Sequence, residues 1–444
     1  MNRILLDYLK NWQTSSIRTP LIVRGARQVG KTYLVKEFGR ESFKSFVEVN
    51  LETSPHLGEC FSSLNAKTIC QQLETVLNTE ISPGETLLFI DEIQASKQAL
   101  ISLRSFKETL PSLHVIAAGS LLEFALQDKD DFSFPVGRVT FAYLQPLSFV
   151  EFLTSLNEPR LVTAIREASI AAPCPPAVHN RLLELTRTYF MLGGMPEVIE
   201  TFKSTNSFTE SRRVQNRLVT AFIADFSKYG RRYDHRKLQQ LLNAVPKMVG
   251  KKFKFSHVDP SVSARDFKLP LLDLERSGLV RTIRATAANG IPLGGEERNG
   301  VFKASYLDVG LMLNALGLDL MSTDAEQAVF INEGALAEQF VGQELLAHLD
   351  PESSPQLYYW ARETKGAEAE VDFVIAQGPH IIPIEVKAGA GGRLKSLRQF
   401  MIDKKSPLGV RMSQLPLSLV DGVLSIPLYM ASEIPRLVAP HLKP

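Results

Sequence analysis

Three groups of residues in this 444-residue chain have the types and spacing that chemistry requires. The first is Gly25-Ala26-Arg27-Gln28-Val29-Gly30-Lys31-Thr32, followed by Tyr33, which matches GxxxxGK[ST] at every fixed position. The two glycines let backbone N–H groups turn toward phosphate oxygens, and a following helix adds positive potential at its amino end. Lys31 then meets the β and γ phosphates, and the Thr32 hydroxyl ligates Mg²⁺. Residues 25–33 are therefore the expected nucleotide-binding segment, with ATP and Mg²⁺ as its ligands. The second group is Asp91-Glu92, closing the apolar run 87–90. There Asp91 would join Thr32 on the metal and Glu92 would orient or deprotonate the attacking water, leaving Lys31 and Glu92 as the principal catalytic residues. Ser120 ends the next apolar run, where its hydroxyl either touches the γ phosphate or water or caps a helix. Arg138 is either an arginine finger reaching a neighbouring subunit's site or a surface arginine.

The third group lies in the last third of the chain. Glu385 and Lys387, two apart on an expected strand, project from one face, and Asp372 near the start of the preceding strand can meet them. With Glu338 on an amphipathic helix, such a set can hold Mg²⁺ between carboxylates while the lysine steadies a hydroxide. Alternating charge on a strand's wet face is the plainer reading of Glu-x-Lys alone.

These residues need elements to position them. Residues 21–24, 46–51, 87–91 and 115–119 read as strands separated by helical patterns, so a mostly parallel sheet covered on both faces is expected, with ligands at the carboxyl ends of its strands. Farther on, residues 203–254 carry thirteen Lys and Arg against three acids, a local +10 in a chain whose net charge is +2. That concentrated field is the usual footprint of phosphate-backbone contact, with Arg212, Arg213, Arg217, Arg231, Arg232, Arg236, Lys237, Lys251 and Lys252 as candidate DNA-binding residues; solvated helix faces are the alternative. Residues 258–303 read as helix, helix and two strands, the pattern of a winged helix-turn-helix that serves either DNA contact or packing.

Composition sets the outer limits. The length leaves room for about three domains, and 44% hydrophobic with 22% charged residues is ordinary for a globular chain. Cys60, Cys70 and Cys174 form no CxxC pair, and no HxxxH pair exists, which argues against a disulfide framework or a zinc site. Charges at Asp7 and Lys10 interrupt the amino-terminal apolar run too early for a signal peptide, and no stretch is apolar enough to span a membrane. A cytoplasmic protein without membrane partners is the expectation.

The set formed by 25–32, 87–92, 118–120, Gly137-Arg138 and the segment 144–152 (LQPLSFVEF) resembles the archaeo-bacterial branch of AAA+ ATPases. Segments 192–197 (LGGMPE) and 306–310 (YLDVG), with the stretch from 334 onward, resemble the carboxyl-terminal region of unknown function that those proteins carry. Glu338, Asp372, Glu385 and Lys387 resemble the PD-(D/E)xK nuclease constellation. The resemblance implies an α/β fold with a RecA-like αβα AAA+ domain at 1–155, a helical basic region at 156–235, a winged-helix domain at 236–320 and a restriction-endonuclease-like α/β domain at 321–444. It further implies an ATPase acting as a homo-oligomeric ring, hexamer favoured, that remodels or translocates DNA, branched DNA such as Holliday junctions being preferred. An ATP-gated signalling switch and an ATP-dependent nuclease are the competing expectations.

Overall fold

In the computed structural model, which describes residues 3–119, 135, 137–229, 235–317, 333–362, 368–389 and 394–442, the chain forms two compact units. Ser120, Arg231 and Arg232 lie outside the described residues.

The first unit spans residues 2–145 with 349–354. Its strands are β1 (Leu21–Arg24), β2 (Ser45–Asn50), β3 (Thr86–Asp91), β4 (His114–Ala118) and β5 (Thr140–Tyr143), all parallel, in the order β2-β3-β4-β1-β5. Every residue of β3 and β4 is buried, as expected of uninterrupted apolar runs in a parallel sheet with both faces covered. The helices α1 (Leu5–Thr14), α2 (Lys31–Ser42), α3 (Ala66–Leu77) and α4 (Lys97–Thr109) belong to this unit. Asn65 caps α3 by accepting the Lys67 and Thr68 N–H groups, and Ser96 caps α4 through the Ala99 N–H. Because β1 sits between β4 and β5, the β1–α2 loop opens at the carboxyl edge where the strand order reverses.

The second unit begins with helices. α5 (Phe149–Ser155) starts with a capping box in which Ser148 and Glu151 satisfy each other's backbone N–H groups. α6 (Pro159–Glu167), α7 (Pro176–Leu192) and α8 (Pro196–Thr205) each open on proline, whose missing N–H costs nothing in a first turn. α9 (Phe208–Tyr229), α10 (His235–Met248) and α11 (Ala264–Arg276) follow. An eight-stranded mixed sheet comes next: β6 (Val280–Thr286), β7 (Glu297–Tyr306), β8 (Leu357–Arg362), β9 (Ala369–Gln377), β10 (His380–Val386), β11 (Gly409–Ser413), β12 (Ser418–Val420) and β13 (Val423–Pro427), in the order β12-β13-β11-β10-β9-β8-β6-β7. α12 (Val309–Ala315) and α13 (Glu333–Ala347) pack with β7, and α14 (Lys395–Lys404) covers β9 and β10.

Two expectations for the middle of the chain are corrected here. The two helices expected between 258 and 280 are one, α11, which Ser263 caps and through which Pro270 passes with its ring buried. The strand pair expected to form a wing is β6–β7, and it does not stand apart: β6 pairs in parallel with β8, from Ile283 opposite Leu357 to Thr286 opposite Trp360. Backbone hydrogen bonding thus makes those strands the edge of the carboxyl-terminal sheet.

The LGGMPE and YLDVG segments meet. Asp308, fully buried, accepts from the Gly194 N–H at 2.6 Å and the Leu311 N–H at 3.0 Å. Gln343 of α13 reaches the same carboxylate and also Tyr189, whose hydroxyl donates to the Leu147 carbonyl. A Cβ on Gly193 would lie 1.9 Å from an Asp308 oxygen, so glycine is required at that approach. Burial pushes the Asp308 carboxyl up to about 6, against the hydrogen bonds that favour its charge. The two motifs are therefore a structural clasp.

Candidate functional site

The β1–α2 loop brings the first two residue groups together. Gly25 approaches the backbone so closely that a Cβ would sit 2.3 Å from the Leu144 carbonyl, and Gly30 caps α2 at φ 97°. Ala26 and Val29 are buried beneath the loop, Gln28 is exposed in the left-handed region, and Arg27 and Tyr33 lie toward the surface. Lys31 is only 7% exposed and donates to the carbonyls of Gly25 at 3.0 Å and Ala26 at 2.9 Å. Burial pulls its ammonium down to about 8, the nearby Glu92 and Asp91 carboxylates offsetting part of that effect.

Asp91 ends β3 within reach of the loop. Its Oδ2 accepts from the Thr32 hydroxyl at 2.9 Å, and its Oδ1 accepts from the Glu92 N–H at 3.1 Å. Burial raises the Asp91 carboxyl, while the Thr32 bond acts in the opposite direction. A hydroxyl and a carboxylate in contact, beside a lysine and a helix amino end, are the hard oxygen donors that Mg²⁺ takes together with nucleotide phosphates. The residues present fit that ion.

Glu92 has left-handed backbone angles, φ 51° and ψ 45°, which turn the chain out of β3. Its Oε2 accepts from the Gln94 Nε2 at 2.5 Å, and the Gln94 Oε1 is buried with no hydrogen-bond partner. Arg138 is exposed and pairs with Glu108 of α4 at 2.9 Å, where Glu108 also meets Arg104. Spacing did not single out Gln94, Asn50 or Arg3. Asn50 ends β2 opposite Asp91 in register and places its amide 3.4 Å from that carboxylate. Arg3, nearly buried, donates to the carbonyls of Val29 at 2.8 Å and Gln145 at 2.6 Å, bracing the loop from a distant part of the sequence. An amide side chain two residues after the acidic pair was a signal for Gln94; nothing marked the Arg3 guanidinium, 26 positions from the Val29 carbonyl it meets.

The third group forms a different site. Glu338 of α13 and Asp372 of β9 both face a residue that spacing did not single out. Lys303 of β7 is 0% exposed, and its Nζ lies 2.6 Å from Glu370 Oε1, 3.0 Å from Glu338 Oε1 and 3.3 Å from Asp372 Oδ1. Asp372 Oδ2 accepts from the Val386 N–H at 2.8 Å. Glu385, on β10, pairs with Lys387 at 2.5 Å, and its Oε2 is buried without a partner. Burial and the Asp372 charge push Glu338 up to about 8 and Glu385 up to about 7, the lysines opposing both. Burial alone would depress the Lys303 ammonium, but Glu338, Asp372 and Glu370 raise it above the ordinary lysine value. A lysine flanked by Phe302 and Ala304 in an expected strand was the available clue.

The basic segment is partly neutralised. Arg213 pairs with Glu210 at 2.5 Å and Arg217 with Glu197 at 2.9 Å, while Arg212 donates to Asn314 at 3.2 Å and Lys237 lies 3.3 Å from Asp266. Three of these partners, Glu197, Asn314 and Asp266, lie outside the 203–254 window. Arg236, Lys251 and Lys252 are exposed.

Family comparisons follow the same division. Residues 18–153 match the AAA domain, residues 183–322 a domain of unknown function (DUF8612) and residues 333–429 another (DUF4143). The first third is thus AAA-like in sequence as well as in strand order. No curated protein matches the sequence. Among solved structures, the chain is similar to the Aeropyrum pernix ORC2 protein in ADPNP–ADP complexes, at 12% identity and TM-score 0.34 over 63% of this chain and 88% of that one. It is similar to the Aeropyrum pernix ORC1 protein in complex with DNA, at 12% identity and TM-score 0.30 over 71% and 90%. A Pyrococcus horikoshii signal-transduction ATPase with a tetratricopeptide repeat sensor aligns at 12% identity and TM-score 0.27 over 77% and 46%. Likenesses this distant say nothing about what the chain binds. No described helix is long and apolar enough to cross a membrane.

Proposed function

We propose that this protein is an ATPase that couples Mg²⁺-dependent ATP hydrolysis to the remodelling of DNA, with branched DNA such as four-way junctions as the substrate class and a homo-oligomeric ring, a hexamer, as the working form. The observation that carries the ATPase reading is the 2.9 Å contact between Thr32 and Asp91, which joins the phosphate loop to the acidic end of β3. Lys31 would exchange the Gly25 and Ala26 carbonyls for the β and γ phosphates, recovering the charge that burial disfavours. Thr32 and Asp91 would hold Mg²⁺, which supplies positive charge where negative charge develops on the phosphoryl oxygens. Glu92, released from Gln94, would accept the proton of the attacking water. Arg138 would trade Glu108 for the γ phosphate of a neighbouring subunit.

The DNA reading is supported by the exposed Lys251, Lys252, Lys254, Arg265 and Lys268, which lie in and around the turn between α10 and α11. One observation favours a second reading, an ATP-gated switch that acts on a protein partner: Arg213 and Arg217 already have carboxylate partners on their own surface. Steady-state ATPase assays of the wild type and Glu92→Gln, without DNA, with linear duplex and with a four-way junction, separate the two. Junction-selective stimulation lost in Glu92→Gln is expected; turnover indifferent to every DNA would leave the switch.

A further inference from the structure

The metal-dependent nuclease suggested by Glu338, Asp372, Glu385 and Lys387 requires a divalent cation among the carboxylates. A different cation is already there. We propose that Lys303 is the permanent resident cation of this cluster, taking the place a divalent metal would take, so that the carboxyl-terminal domain neither binds Mg²⁺ at these carboxylates nor cuts DNA.

Three observations carry this. The Lys303 ammonium is within 3.3 Å of Glu338, Asp372 and Glu370, so it occupies the space between the carboxylates that a shared metal would need. A divalent ion placed there would meet a positive charge at contact distance in a buried setting, where repulsion is weakly screened. The remaining oxygens are largely committed as well: Asp372 Oδ2 to the Val386 N–H and Glu385 Oε1 to Lys387. Glu385 Oε2 accepts no hydrogen bond, but a divalent ion seated on it would have to share its neighbouring carboxylates with the Lys303 and Lys387 ammonium groups.

Lys303 is also not free to withdraw. Its backbone is in register with Ile283 of β6 on one side and bridged to Lys252 on the other, and the adjacent Phe302 carbonyl accepts from the Phe253 N–H at 2.8 Å. The lysine comes from the stretch matching one domain of unknown function, and Glu338, Asp372 and Glu385 from the stretch matching the other. The sheet shared by β6, β7 and β8 makes the cluster a composite of both.

The test uses the full chain in an Asp91→Asn background, without nucleotide, so that the phosphate loop does not contribute metal binding. Mn²⁺ is titrated by calorimetry and by electron paramagnetic resonance. The parent is expected to bind no Mn²⁺ at the cluster, and Lys303→Ala to gain one Mn²⁺ per chain, lost again in Lys303→Ala with Glu385→Gln. Thermal midpoint should rise with Mn²⁺ only in the Lys303→Ala protein. Should that variant fail to fold, Lys303→Ser, whose short side chain leaves the same space open, serves in its place. Parallel assays with Mg²⁺ or Mn²⁺ on labelled single-stranded, duplex, forked and four-way DNA should show no cleavage by the chain carrying Lys303. A Mn²⁺ site in the parent that Glu385→Gln removes, or cleavage that Lys387→Ala abolishes, would overturn the proposal. A folded Lys303 variant that gains no Mn²⁺ would overturn it equally.

Discussion

Two buried lysines stand in opposite electrostatic situations. Lys31 is enclosed by the phosphate loop, bonded only to neutral carbonyls, and its ammonium is pulled down to about 8. Lys303 is equally enclosed but touches three carboxylates, and its ammonium is held above the ordinary lysine value. Burial acts in the same direction on both; the partners decide the sign. A site whose lysine is under-compensated is prepared for an incoming anion, whereas one whose lysine is over-compensated is already complete. The difference separates a ligand site from a structural ion cluster more sharply than motif spacing does.

The comparison can be broken first at the phosphate loop. Lys31→Met should lower ATP turnover by about 10³-fold or more, the scale of losing a charged contact to a transition state. Folding stability should be unchanged or slightly raised, because the charge removed is one that burial disfavours. Lys303→Met should behave in reverse. Turnover by the isolated chain would be little altered, while unfolding in urea at pH 7 would show a loss of about 3–5 kcal/mol, the usual cost of stranding buried charges. Without the ammonium, the carboxyls are held still further above their unfolded values and the native state binds more protons. Stability of this variant therefore falls as pH rises, and the deficit should be smaller at pH 5 than at pH 8. Equal stability losses for the two substitutions would remove the distinction.

Nucleotide affinity sharpens the same contrast. Bound phosphate raises the Lys31 value, so binding takes up a proton once the pH exceeds about 8. The Kd for a fluorescent nucleotide should accordingly weaken from pH 7.5 upward and be flat, though much poorer, in Lys31→Met. Gln94→Ala should have a smaller effect, raising kcat by no more than roughly tenfold with little change in KM, since it removes the hydrogen bond from which the Glu92 carboxylate must be released. Smallest of all, Arg213→Ala and Arg217→Ala should each change stability by less than about 1 kcal/mol, as exposed ion pairs do. A much larger loss of DNA affinity in the same variants would favour the DNA reading over the switch.

The carboxyl ends of the parallel strands were legible because each step there is local. Gly25, Gly30, Lys31 and Thr32 lie within eight consecutive residues, and uninterrupted apolar runs announce β1, β3 and β4. The sheet order that brings Asp91 to Thr32 follows from the topology such runs adopt. The middle of the chain was harder. A proline normally ends a helix, which divided α11 on paper, and a strand pair after a helix looks like a wing until its neighbour in the sheet is known. Strand pairing across more than seventy residues leaves no periodic trace in either partner.

From its sequence alone, the protein was committed to a phosphate loop, an acidic strand end and a sheet to carry them, since residue type and spacing impose these through short-range geometry. Tertiary structure decided which charges meet. It brought Arg3 beneath the loop, set Gln94 against Glu92 and drove Lys303 of an edge strand between carboxylates of a later helix and strand. A buried charge is defined by what surrounds it within a few ångströms, and for Lys303 those surroundings come from residues 35 to 69 positions away.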